Sequence, residues 1–488
     1  MLDPIQRSNA AQADRHRLAW AAWPADSTTP VRAYLALREH GRHAALLESV
    51  EGPARLARYS FLAVDPAASL RGNVLRQSGK SERVAPTALE ALRKLALAGP
   101  APELPRELPP FRGGWIGFFT YEWARELERR VPAAADDPWE LPCACFDRFD
   151  STLAFDHAAQ LIFVMRACPE GARGFAAAQS EIERLADDAL GDAPTSGEFA
   201  LEGELRSAVA RERFLGDVAR LRREISQGEI FQGVLSQRFE QRFSGDPFTL
   251  YRVLRITNPS PHMFYFPCDD LVLVGSSPER LVSVRERRVE NRPIAGTRPR
   301  GATPEEDERW AQELRGSAKE RAEHDMLVDL ARNDLGRVAR IGTVRVREHA
   351  VIERFARVQH LVSRVEAELA SGKDALDALA ASFPAGTVSG APKVRAMELI
   401  AAVEPQTRGP YAGAFGYVDG SGALDLAIVI RSFVARRGVL SVQAGAGIVF
   451  DSSPEAEYQE TLDKARALFD AAKLASSASF QRKVEVAR

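Results

Sequence analysis

Between Ala423 and Phe450 the chain reads ALDLAIVIRSFVARRGVLSVQAGAGIVF, two apolar arms that turn at Arg437-Gly438. Arms this apolar belong in a sheet that is covered on both faces. A second stretch, LVLVGSSPERLVSVRERRVE from Leu271 to Glu290, reads as an apolar strand, a GSSPE turn and a strand alternating Leu281, Val282 and Val284 with polar residues. Strands joined by hairpins, with helices set between them, favour an α+β architecture over a doubly wound βαβ one. At 488 residues the chain is too long for one ordinary core and suits two large domains.

Taken in order, AALLESVEG (Ala44 to Gly52) and RYSFLAVDP (Arg58 to Pro66) read as strands, the second stopped by its proline. GPAPELPRELPPF from Gly99 to Phe111 is a stiff connector before GGWIGFFTYEW, an aromatic strand and turn. The helix GARGFAAAQSEIERLADDAL closes a first domain, residues 1–190. A small, polar linker is expected over 191–204, a second domain over 205–475 and a tail over 476–488. The second domain opens with RERFLGDVARLRREISQGE, where Phe214, Val218, Leu221 and Ile225 recur at helical spacing; IFQGVLSQRFEQRF then forms a strand carrying Gln232 and Gln237.

Lys and Arg number 65 against 67 Asp and Glu, a balance that argues against a nucleic-acid or membrane-surface partner. No apolar run approaches the ~20 residues of a membrane span, and MLDPIQRSNAAQADRHRLAW has no signal-like apolar core, so a cytoplasmic setting is expected. Four cysteines, Cys143, Cys145, Cys168 and Cys268, form no CxxC pair and are expected as reduced thiols.

Three regions carry chemistry-bearing residue types. Asn291 to Gly301 (NRPIAGTRPRG) combines a strand end, a turn at Gly296, the Thr297 hydroxyl and three arginines. In KERAEHDMLVDL, Glu320 and Glu323 stand one helical turn apart; in SPEAEYQETLDKA, Glu457 and Glu460 repeat the spacing and Lys464 extends the face, behind Ser453 as N-cap and Pro454 at the first helical position. Such a pair alone is usually solvated surface, whereas two facing pairs make a hard oxygen-ligand set. Gly386 to Lys393 (GTVSGAPK) lacks the spacing of a phosphate loop, and AGAGIV lacks the third glycine of a dinucleotide fingerprint, so no nucleotide is expected.

PIAGTRPRG, with GSSPE before it and ERAEHDMLVDLARNDLGR, AGTVSGAPKVRAME and QAGAGIVFDSSPEAEYQETLDKA after it, resembles the chorismate-utilising enzymes, and among them the large subunits of anthranilate synthases. The resemblance implies two large antiparallel sheets packed as a sandwich with helices outside. It also implies Mg2+ held by Glu320, Glu323, Glu457 and Glu460 against the ring carboxylate of chorismate. Glu279 of GSSPE is then the acid that protonates the departing ring hydroxyl, with a pKa raised by its surroundings. Arg431 and Tyr417 match carboxylate contacts; the backbone around Ala446 and Gly447, together with Lys464, offers a further one. Thr297 and Thr387 match hydroxyls lining the pocket, and His360 matches a histidine linked to proton movements that release pyruvate.

Two positions bear on the reaction within the family. Ala295 stands where aminodeoxychorismate synthases commonly carry a nucleophilic lysine, and Gln232 where isochorismate and salicylate synthases carry a water-activating one. Ammonia is therefore the expected nucleophile, giving anthranilate, with aminodeoxychorismate synthase component I as the alternative. The chain has no Cys elbow with a His partner, so ammonia is expected from a separate glutamine amidotransferase subunit in a hetero-oligomer. LLES and NPSPHMF resemble an inhibitory L-tryptophan site, implying Glu48, Ser49, Arg58, Pro261, His262 and Met263; His262 replaces a usual tyrosine and Arg58 a lysine.

Overall fold

The computed structural model describes residues 4–50, 58–97, 107–355, 358–477 and 480. Within them, 23 strands form one connected hydrogen-bonded network, folded into two facing layers. One layer runs from Leu18–Pro24 through Leu161–Ala167, Ala144–Asp156, Tyr59–Arg71, Ala44–Glu48, His262–Cys268, Leu271–Ser277, Ser432–Arg436 and Val439–Ile448 to Gln232–Gly245. The other runs from Gly114–Phe119 through Ala414–Val418, Leu424–Ile428, Arg280–Arg285 and Arg288–Asn291 to Val358–Glu368, which also pairs Ile294–Pro299 and Arg345–Arg354. Two 13-residue strands, Tyr59–Arg71 and Ala144–Asp156, belong to both layers and bend where their register shifts between Pro66 and Ala68. Strands that change layers at such irregularities are how a sandwich makes its corners.

Aromatic side chains fill the space between the layers. Phe264 stacks on Phe415 at 4.2 Å between ring centroids, and Phe118 meets Phe266 edge-on. Each such side chain, fully buried, contributes roughly 1.5–3 kcal/mol. Helices Pro30–Glu39, Ala172–Leu190, Pro247–Thr257 and Pro454–Ala475 pack on the outside of the first layer, and Lys393–Val403 packs on its last strand, Gln232–Gly245; Ala318–Gly336 and Ala375–Ser382 pack on the second. The expected sandwich is thus present, with layers that merge at one corner.

Several local expectations change. The two halves of the chain share their cores: Ala44–Glu48 pairs with His262–Cys268, and Gly114–Phe119 with Ala414–Val418. Residues 199–204 of the expected linker lie in the strand Phe199–Ser207, anchored by the buried Phe199 and paired with Gln232–Gly245. Pro66 does not stop its strand, because it falls at the bulge, where an N–H can be spared. Ala444 to Gly447, whose backbone is expected to meet a carboxylate, is continuous strand opposite Val234 to Gln237. Most of the expected connector 99–111 lies outside the described residues.

The apolar arm from Ala423 to Arg436 is also not one strand. Leu424–Ile428 belongs to the second layer and Ser432–Arg436 to the first, and Arg431, at φ +51°, turns the chain between them. Likewise GSSPE is no hairpin: it carries the chain from Leu271–Ser277 in the first layer to Arg280–Arg285 in the second. The two crossings lie side by side, since the Ile428 N–H donates to the Glu279 carbonyl (3.0 Å) and the Ser276 N–H to that of Arg431 (3.1 Å). Glu279 and Arg431 are brought together by this double crossing.

Candidate active site

Glu279 receives a hydrogen bond from the Thr387 hydroxyl at 3.0 Å, presented by the short turn Gly386–Val388. Its neighbour Arg280 does not neutralise it, because that guanidinium is held by Asp425 (2.9 Å) and Glu290 (3.0 Å). Burial without a cation pushes the Glu279 carboxyl up to about 7, and the Thr387 bond offsets only part of this. The group is therefore poised between acid and base near neutrality.

Across the crossing, burial lowers the affinity of Arg431 for its proton, and it makes no salt bridge among the described residues; its Nη1 donates to the Lys464 carbonyl at 3.3 Å. A half-buried guanidinium without a carboxylate is a ready fork for an incoming one. Lys464 donates to the Gly445 carbonyl (2.8 Å) and pairs with Glu460 (2.6 Å). Gly445 and Gly447 make close approach possible: a Cβ on Gly445 would fall 2.8 Å from the Tyr411 hydroxyl, and one on Gly447 would fall 2.6 Å from the Gln232 amide nitrogen. Beyond the pairing of Phe433 with Val442, this edge of Val439–Ile448 has no strand partner among the described residues, so its backbone faces the site. The side chain of Ala446, fully buried, belongs to a core cluster, leaving only its backbone for a ligand.

Tyr417 is a correction. It sits between the layers, its ring 4.7 Å from that of Phe111, and faces a different cleft. The tyrosine beside Arg431 is Tyr411, whose hydroxyl is pushed up to about 12 by burial despite the nearby Arg408 and Arg431. Both occur in PYAGAFGY, six residues apart, and only the strand register separates them: Tyr417 pairs with Ile116 and Asp425 inside the sheet, whereas Tyr411 precedes the strand.

Thr297 and His360 are cross-strand partners, and the His360 Nδ1 lies 2.9 Å from the Gly296 carbonyl and 3.2 Å from the Thr297 hydroxyl. A carbonyl can only accept, so Nδ1 carries a proton. Gly296 adopts φ +66°, and a Cβ there would fall 2.6 Å from Leu314 Cδ1 and 3.0 Å from Glu320 Oε2. Gly296→Ala is expected to destabilise the protein by about 1–3 kcal/mol and to displace Thr297, read as a lower Tm together with lower turnover. Ala295 is buried and offers nothing reactive.

The two acidic helices face one another. Crowding by protein raises the Glu323 carboxyl, followed by repulsion from Glu320 and Glu460; burial and Glu460 raise Glu457. Glu320 is drawn to Arg298 at 3.1 Å and Glu460 to Lys464, and among the described residues no three carboxylate, histidine or cysteine groups close into a metal cage. The expected four-carboxylate assembly thus takes the form of a repelling cluster, with two members held by side-chain cations. Its chemistry still fits a hard divalent ion, since all donors are oxygen and their repulsion is what such an ion relieves. Ser453 occupies the cap position of its helix but makes no side-chain bond there.

Glu48, Ser49, Pro261, His262 and Met263 line a separate cavity of about 330 Å³, shared with Tyr417. Glu48 is buried and held by Arg255 (2.9 Å) and the Tyr251 hydroxyl (2.6 Å). Burial and the neighbouring Arg280 lower His262 to about 4, keeping it neutral. Arg58 does not join them, because Asp156 holds its guanidinium at 2.7 Å. The strand carrying His262 and Met263 pairs with Ser276 and Ser277, the residues that lead into the Glu279 crossing.

The model of the chorismate binding enzyme family matches residues 42–470. Anthranilate synthase component 1 of Cereibacter sphaeroides is 43% identical over 483 residues, covering 94% of this chain and 95% of that relative. The protein of the same name from Thermus thermophilus is 46% identical over 459 residues, covering 93% and 97%. Among solved structures, anthranilate synthase component I from Streptococcus pneumoniae aligns with a TM-score of 0.76 at 38% identity over 84% of this chain and 92% of that one. The menaquinone-specific isochorismate synthase of Escherichia coli aligns at 0.70 and 18% identity over 93% and 94%, a likeness of fold alone.

Proposed function

The chain belongs to the chorismate-binding enzymes, within the group of anthranilate synthase component 1, and from that membership we propose that it converts chorismate and ammonia to anthranilate, pyruvate and water. The observation that supports this reading most is Glu279, a carboxyl that burial without a neighbouring cation pushes up to about 7, on a crossing that runs alongside the one carrying Arg431. Protonated Glu279 gives its proton to the departing ring hydroxyl, and Thr387 aims the carboxyl. Arg431, with the Tyr411 hydroxyl, holds a substrate carboxylate. His360 Nε2 takes a ring proton as aromaticity is established and pyruvate leaves.

Glu323, Glu460, Glu320 and Glu457 would hold Mg2+. When bound, that ion supplies positive charge for the ring carboxylate. Ammonia comes from a separate glutamine amidotransferase subunit: three cysteines are buried, and burial with the nearby Glu126 pushes the Cys143 thiol up, so none is a ready nucleophile. No described helix is long and apolar enough to cross a membrane, which suits an enzyme of the cytoplasm.

L-tryptophan is the proposed inhibitor at the second cavity, whose size falls within the range of small-ligand sites. The Ser49 hydroxyl there is buried without a hydrogen-bond partner among the described residues. Ser49→Leu, which fills the cavity, is expected to abolish inhibition while turnover is retained; unaltered inhibition in a steady-state assay would remove this assignment. The reaction itself is tested by supplying purified protein with chorismate, Mg2+ and ammonium. Fluorescent anthranilate is expected without any added lyase. An aminated product that needs a lyase to become aromatic would instead establish aminodeoxychorismate synthase.

A further inference from the structure

We propose that the buried pair Glu404 and Arg408 is a positioning device that holds three segments of the active site in register. This inference rests on the functional reading above. Arg408 is one of the largest fully buried side chains in the protein. Its Nε and Nη2 donate to the two Glu404 oxygens at 2.7 Å each, Nη1 to the Val388 carbonyl at 2.7 Å, and Nη2 to the Val234 carbonyl at 2.7 Å. Glu404 also accepts from the backbone N–H and the hydroxyl of Ser236, both at 2.8 Å.

Every group on this list leads to the site. Val388 follows Thr387, which aims Glu279. Val234 lies opposite Gly447 and Ser236 opposite Gly445 in the ladder, so the pair fixes the strand behind the carboxylate-facing edge. The guanidinium also lies 5.7 Å from the ring centroid of Tyr411, whose hydroxyl reaches Gly445.

Burying an ion pair is a poor route to stability, because well-packed apolar residues do as well or better. A planar fork can do what they cannot: it binds a carboxylate bidentately and still directs two carbonyls on separate segments. A lysine keeps the charge that Glu404 requires but has no fixed plane, so it cannot hold both carbonyls in one geometry.

Wild-type protein, Arg408→Lys and Glu404→Gln are compared with chorismate, Mg2+ and ammonium across a pH series, with thermal melts alongside. Arg408→Lys is expected to lower kcat about a hundredfold and Glu404→Gln about tenfold, the scale of a small misplacement of reacting groups. KM for chorismate should stay within about threefold, since the direct contacts of Arg431 remain. The limb of the kcat profile that reports Glu279 should move to higher pH, because a loosened Thr387 no longer favours the carboxylate. A purely structural role would lower the amount of active protein without moving that limb. Wild-type kcat and limb in both variants, or a change in KM alone, would overturn the inference. If Arg408→Lys does not fold, Glu404→Gln decides by the same criteria. Absence of turnover in the wild type would instead remove the functional reading.

Discussion

Glu279→Gln is expected to lower kcat by about 10²–10⁴-fold, the usual contribution of a general acid, with little change in KM. The same substitution should stabilise the protein at pH 8. An unfolded glutamate titrates in the ordinary carboxylate range, whereas Glu279 in the fold titrates at about 7. The fold therefore favours the protonated form. Stability from this group is fully present in acid and is lost as pH rises to about 7, a difference of about 3 kcal/mol at 1.36 kcal/mol per pKa unit. Glutamine escapes that loss, so its gain in Tm over the wild type should grow between pH 5 and pH 8. For the wild type, kcat corrected for the free ammonia present should fall as pH rises through 7. A variant that keeps turnover, or that melts below the wild type at pH 8, would show that Glu279 is neither the acid nor a strained carboxyl.

Glu323→Gln is expected to reduce turnover by at least about a hundredfold, because a hard-cation site depends on the charge of its few carboxylates. Activity is not its only readout. Ligand that binds only the folded state raises stability with concentration, so wild-type Tm should climb with Mg2+ and that of Glu323→Gln should not. Without Mg2+ the variant should melt no lower than the wild type, since it removes a group whose ionised form is opposed by crowding and by Glu320 and Glu460. Equal responses of both proteins to Mg2+ would remove Glu323 from the ion's ligands.

The parts of the site legible in the sequence are those whose geometry is local. Glu320 with Glu323 and Glu457 with Glu460 share a face because a helical turn puts them there. What eluded the sequence is long-range. GSSPE and IVIRS each read as part of a hairpin, yet both carry the chain between layers, and only their mutual hydrogen bonds bring Glu279 to Arg431. Tyr411 and Tyr417 share one motif, and the pairing with Ile116 decides which faces substrate. Phe199–Ser207 was hidden by its small, polar composition, since one buried phenylalanine anchors an otherwise exposed edge strand. Nor does spacing show that Glu404 and Arg408, four residues apart just beyond the helix Lys393–Val403, form a buried pair rather than a solvated one.

The most direct test of the account is the stoichiometry of products formed from chorismate by the purified chain with Mg2+ and ammonium, before and after chelation of the metal. Anthranilate and pyruvate should appear in equal amounts, stop on chelation and resume when Mg2+ is restored. Chorismate consumed without both products, or turnover indifferent to the chelator, would contradict it.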